Sequence, residues 1–65
     1  MKMITYEVTN SWDIRKDFGT DKAKAIAFYN EIKDGVRKVN GYPMLWVMEV
    51  TYEEGKGWHS ESIEV

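Results

Sequence analysis

Between Met3 and Thr9 the chain alternates, with Ile4, Tyr6 and Val8 on one face and Thr5, Glu7 and Thr9 on the other. A period of two predicts a half-buried strand. The turn formers Asn10-Ser11-Trp12-Asp13 end it, and Ile14, Lys16 and Phe18 then share a face as a short return strand would. Gly19-Thr20-Asp21 closes this hairpin, offering Thr20 as a helix N-cap with Asp21 near the positive end of the dipole. From there Ala25, Phe28, Tyr29, Ile32 and Val36 recur at spacings of three and four. That spacing predicts an amphipathic helix of about four turns. Ala23, Ala25 and Ala27 raise its propensity and leave a thin side that can approach a sheet. Gly35 is the natural stop, Asn40-Gly41-Tyr42-Pro43 reads as loop, and residues 36–43 are open to helix, loop or a short extra strand.

Met44 to Tyr52 carries the strongest strand pattern. Met44, Trp46, Met48, Val50 and Tyr52 line one face, while Leu45 and Val47 place apolar groups on the other ahead of Glu49 and Thr51. Apolar groups on both faces mark a central strand, with Trp46 expected in the core. Glu53-Glu54-Gly55-Lys56-Gly57 is a hairpin turn, and Trp58 to Val65 returns as a weaker strand. The order ββαββ predicts a single α+β domain over residues 1–65. Its expected form is a two-layer ββαββ fold, a four-stranded antiparallel sheet of order 2-1-3-4 with one helix on one face. The sheet face away from the helix is expected to hold Met3, Leu45 and Val47, with Ile63 or Trp58, among Thr5, Glu7, Thr9, Glu49 and Thr51. Such a mixed patch marks a partner site or a homodimer contact.

Composition narrows the chemistry. A chain of 65 residues has a marginal core, which association with a second copy would help to complete. With no cysteine there is no disulfide, no thiol nucleophile and no Cys-based zinc site. No apolar run reaches the roughly 20 residues of a membrane span, and Met1-Lys2-Met3-Ile4-Thr5 turns polar too soon for a secretory signal, so a cytoplasmic protein is expected. Net charge is −2, which disfavours general nucleic-acid binding. The charge is uneven. Residues 1–43 carry eight Lys and Arg against six Asp and Glu, while residues 44–65 carry Lys56 alone against Glu49, Glu53, Glu54, Glu61 and Glu64.

Catalysis finds little to work with. His59 is the one histidine, and its neighbour Ser60 points to the opposite face of any strand holding both. His59 with Glu49 and Glu61 gives one nitrogen and two oxygens on a flat strand pair, which matches no zinc or calcium motif. Glu53-Glu54 lies at a hairpin tip, where no cleft forms. The expectation is a non-enzyme without a cofactor or a metal.

Aromatic residues make up 14% of the chain, and two tryptophans fall where folding does not require them. Trp12 lies in a turn and Trp58 directly after one. Tryptophan, tyrosine and arginine anchor protein interfaces. Trp12, Arg15, Tyr42 and Trp58, joined by Leu45, Val47 and His59 on the face expected to be open, are therefore the candidate partner-binding residues. Arg15, Lys16, Arg37 and Lys38 could alternatively serve a phosphate-bearing small molecule between subunits.

The segment from Asp17 to Tyr29, in which a strand ends in Phe18 and a capped helix carries Ala25 and Phe28, resembles a pattern common in small phage and mobile-element proteins. The acidic hairpin from Leu45 to Gly55 is similar to theirs. The resemblance covers about two-thirds of the chain and implies a class of short, cysteine-free proteins that disable a host or defence protein by binding it, anti-CRISPR proteins among them. It carries no individual catalytic or binding residue. The expectation is a binding protein that inhibits or redirects a bacterial target through an aromatic-rich surface. Alternatives are an oligomeric sponge for a nucleotide-like signal and a structural or regulatory phage subunit.

Overall fold

Val8 meets Val47 across the two longest strands, and both are fully buried. A computed structural model describes residues 2–10 and 12–65; Met1, and Ser11 of the expected first turn, lie outside them. Strand β1 (Lys2–Thr9) and the short β2 (Arg15–Asp17) form the first hairpin. Helix α1 (Lys22–Ile32) follows and tightens into a 3₁₀ turn over Lys33–Gly35. Two short strands, β3 (Lys38–Val39) and β4 (Tyr42–Pro43), make a separate hairpin. Then β5 (Trp46–Glu53) and β6 (Gly57–Ile63) complete the main sheet. The fold is α+β, with one helix and a four-stranded antiparallel sheet of order β2-β1-β5-β6.

Three local expectations are corrected. The element order is ββαββββ, because residues 38–43 form a hairpin and not a loop. Asn40 and Gly41 both take positive φ, 53° and 83°, which is the geometry of a tight two-residue hairpin turn. The helix N-cap is Asp21 and not Thr20: its Oδ1 accepts the Lys24 N–H at 3.0 Å. The α-helix is also shorter, eleven residues, and the 3₁₀ turn carries the chain on to Gly35.

The largest correction concerns the faces of β5. Residues paired across a ladder share a face, so Val47 lies with Val8, Glu49 with Tyr6 and Thr51 with Ile4 on the helix side. Leu45 and Val47 are 2% and 0% exposed, and with Val8 and Ala25 they form the buried core. Phe18, Phe28, Tyr29, Ile32, Val36 and Ile63 pack around them. Trp46, Met48, Val50 and Tyr52 turn the other way, with Thr9, Glu7, Thr5 and Met3.

Length explains the choice. Eleven helical residues span about 16 Å, whereas an eight-residue strand runs about 27 Å. The helix covers one end of the sheet and not the other. The helix-side residues of β5 and its lead-in change from apolar at Leu45 and Val47 to polar at Glu49, Thr51 and Glu53, matching that half-cover. Ala25, the one buried helical residue, lets the helix come close above Val8 and Val47. Ala23 and Ala27 are exposed.

Candidate partner surface

With the helix on one side, the other side of the main sheet has no element of the described residues over it. Met3, Trp46, Met48, Val50, Tyr52 and Trp58 all project there. Trp58 is 69% exposed, and its ring stacks on Tyr52 with centroids 4.8 Å apart and planes 17° from parallel. Indole and phenol thus hold each other in place on a cross-strand pair, which limits the side-chain entropy lost when a partner covers them. Met3, Thr5, Val50, Trp58 and Arg15 line a shallow concavity of about 400 Å³. Arg15 Nε reaches Glu7 Oε2 at 3.4 Å at its β2 side, and Asp17 is the remaining charge on this face.

Trp12 extends the surface at one end. A second hollow of about 380 Å³ lies between it and Glu7, Thr9, Ile14 and Arg15. The loop that presents Trp12 is built on Asn10, a residue with 3% exposure. Asn10 Oδ1 accepts the backbone N–H groups of Trp12, Asp13 and Ile14 at 3.0, 3.0 and 2.9 Å. Its Nδ2 donates to Asp13 Oδ1, and its own N–H donates to the Ile14 carbonyl. One side chain therefore satisfies three main-chain donors that a tight loop would otherwise leave to water.

The other candidates disperse. Leu45 and Val47 sit in the core and cannot touch a partner, because helix α1 covers the face they occupy. Tyr42 is exposed on β4, bordering a separate concavity with Tyr29, Pro43, Ile63 and Val65. His59 stands on the helix side of β6, opposite Thr51, with Nε2 3.7 Å from Glu61 Oε2, and it also borders the concavity beside Trp58 and Arg15. Arg15 and Lys16 leave opposite faces of β2, and the Lys16 ammonium lies over the Phe18 and Phe28 rings at 5.7 and 5.2 Å. Lys38 belongs to the second sheet and pairs with Asp34 at 3.7 Å, so the four basic residues make no common site.

The acidic residues of the β5–β6 hairpin gather on the helix side, beyond the reach of α1. Glu49 and Glu61 are directly opposed, and Glu53 lies farther along the same face of β5, beyond Thr51. The Tyr6 hydroxyl donates to Glu49 Oε2 at 3.1 Å. Burial raises the Tyr6 phenol above its ordinary pKa, and the Glu49 hydrogen bond and charge push the same way. The hairpin thus has an aromatic side and an acidic side. Glu49 faces Glu61 and not His59, and among the described residues no group of three or more His, Asp or Glu is placed to hold a metal ion. No helix is long and apolar enough to cross a membrane, again among the described residues.

Sequence reasoning missed Trp46, Met48 and Tyr52 as half-buried residues of the open face, since the stripe they form looks like a core face. The signal against that reading was the opposite stripe, apolar for two positions and then acidic, which fits a short helix. Comparison with known proteins found no match to a family model, a curated protein or a solved structure, so the functional reading rests on the chain itself.

Proposed function

We propose that this chain is a non-enzymatic binding protein that grips a protein partner on the open face of its main sheet. One observation carries the reading. Among the described residues four apolar ones are buried, yet Met3, Trp46, Met48, Val50, Tyr52 and Trp58 lie together on a face that the helix does not cover. Aromatic residues, methionine and arginine are the types enriched where proteins meet. Trp12 and Arg15 border the face, so two of the residues that the sequence singled out join it. In this reading the helix and main sheet are a two-layer ββαββ platform, and β3–β4 is an insertion in its connection.

The partner class comes from the sequence resemblance. A bacterial host or defence protein, blocked or redirected in the cytoplasm by a phage-type or mobile-element protein of the anti-CRISPR kind, is the target proposed. The acidic side of the β5–β6 hairpin complements a basic target and would speed encounter more than it tightens the complex. A nucleotide-like ligand draws less support, since Arg15 and Lys16 point to opposite faces.

The test is a tagged pull-down from bacterial lysate with the wild type, Trp58→Ala, Met48→Lys and Tyr42→Ala, each first shown to be folded by circular dichroism. A protein retained at near-equal stoichiometry should be lost with Trp58→Ala and Met48→Lys and kept with Tyr42→Ala. A central anchor is worth at least about 2 kcal/mol, a drop of more than tenfold in affinity. Loss with Tyr42→Ala alone would move the site to the β3–β4 hairpin and end this reading.

A further inference from the structure

The outer edge of β6 is the longest exposed strand edge in the molecule, and its main-chain polarity can be traced from hydrogen bonds on the far side of the sheet. Tyr6 donates its N–H to the Gly19 carbonyl at 2.8 Å and accepts the Phe18 N–H at 2.9 Å, and Asn10 donates to Ile14 at 3.1 Å. Even-numbered residues of β1 therefore turn their main-chain groups toward β2, and odd-numbered ones toward β5. With Thr5 opposite Val50 and Glu7 opposite Met48, even-numbered β5 residues face β1, leaving Glu49 and Thr51 to face β6. Their partners Glu61 and His59 face back. The N–H and C=O groups of Trp58, Ser60 and Ser62 point outward, unpaired by β5.

Natural sheets blunt such an edge with proline, lysine, a bulge or brevity. β2, three residues long, uses brevity. β6 runs seven residues, all exposed but Ile63, and its Trp-His-Ser-Glu-Ser-Ile stretch holds neither proline nor lysine.

We infer that two copies of this chain pair along β6, antiparallel about a two-fold axis through Ser60, into one continuous sheet. The sequence selects both the occupant and the register. With Ser60 opposite the partner's Ser60, Trp58 meets the partner's Ser62, and all outward groups of residues 58, 60 and 62 are satisfied. His59 then stands across from the partner's Glu61, twice by symmetry. A shift to the next allowed register one way sets His59 against His59 and leaves Ser62 without a strand partner. The shift the other way opposes Glu61 to Glu61 and leaves Trp58 beyond the ladder. Only the Ser60-centred pairing combines full main-chain satisfaction with an imidazole set against a carboxylate at both symmetric positions. The small Ser62 leaves space beside the Trp58 indole, which keeps its Tyr52 stack. The open faces of the two copies join edge to edge, so the pairing doubles the partner surface without covering it.

Sedimentation velocity on the full chain, from micromolar to millimolar concentration, tests the pairing. The wild type should pass from monomer to dimer. Ser60→Pro should be monomeric throughout yet folded by circular dichroism, because the N–H that proline removes points away from β5. His59→Glu should weaken the dimer by about tenfold, having placed like charges at both symmetric positions, and adding Glu61→Lys to it should restore the affinity. A wild type that stays monomeric overturns the inference, as does a dimer that survives Ser60→Pro. A His59→Glu variant as tight as the wild type overturns the register. These outcomes are independent of Met48→Lys, which acts on the open face of β5 away from the β6 edge.

Discussion

Replacing Asn10 with alanine should remove a large share of this domain's stability and release Trp12 from its loop. Four hydrogen bonds end on the Asn10 amide: three main-chain donors share Oδ1, and Nδ2 donates to Asp13. A typical intramolecular hydrogen bond contributes about 0.5–1.5 kcal/mol net. Simple addition would overshoot, because three of the four share one acceptor and the freed loop amides can turn to water. About 2–3 kcal/mol is the expected loss, in a domain for which about 5 kcal/mol is an ordinary total. Asn10→Asp makes the sharper comparison. It keeps the acceptor for the three amides but sets a carboxylate against Asp13, so it should cost about 1 kcal/mol near neutral pH and less in acid. Urea unfolding measures both losses, and amide hydrogen exchange at Trp12, Asp13 and Ile14 reports the loop directly. An Asn10→Ala variant within about 0.5 kcal/mol of the wild type, with those amides still protected, would refute the reasoning.

Three further substitutions probe the helix start and the acidic side. Asp21→Ala should cost about 1 kcal/mol as the loss of an N-cap, whereas Thr20→Ala should stay within about 0.5 kcal/mol; equal losses in thermal melts would return the cap to Thr20. The raised Tyr6 pKa means that the fold keeps the phenol protonated where the unfolded chain ionises it. Its stabilisation is therefore intact below the ordinary tyrosine value of about 10 and fades as pH rises through the folded-state value. The stability difference between wild type and Tyr6→Phe should hold up to about pH 10 and shrink as the pH rises further, and a difference independent of pH would contradict the Tyr6–Glu49 contact.

Much of the fold was legible because its signals are local. Alternation at Ile4, Tyr6 and Val8, the helical spacing of Phe28, Tyr29 and Ile32, and the glycines of the β5–β6 turn each fix an element without reference to the rest. Together they predicted the strand order of the main sheet. Which face of β5 looks inward is a different kind of question. It depends on how far a helix reaches across a sheet, and the wider stripe of Trp46, Met48 and Tyr52 gave a misleading answer. Leu45 and Val47 entered the candidate site for that reason and left it when the register with Val8 was known. Trp12, Arg15 and Trp58 needed no such knowledge, since turn and edge positions are exposed in either register. The Asn40-Gly41 hairpin was within reach: Asn-Gly is a strong two-residue turn signal, masked here by strands too short to alternate.

The β1–β5 ladder has a consequence for how the chain acquires its structure. Each hairpin forms from neighbouring residues, but the four buried apolar residues come from three separate segments: Val8, Ala25, and Leu45 with Val47. No hairpin alone, nor the helix with either one, encloses that core. Closing the long loop between Val8 and Val47 must precede any reward from burying them, so the slow step in folding is expected to be the docking of β1 on β5. Unfolding is correspondingly all-or-none, and a single cut between α1 and β5 would leave two fragments that are ordered only while they hold each other.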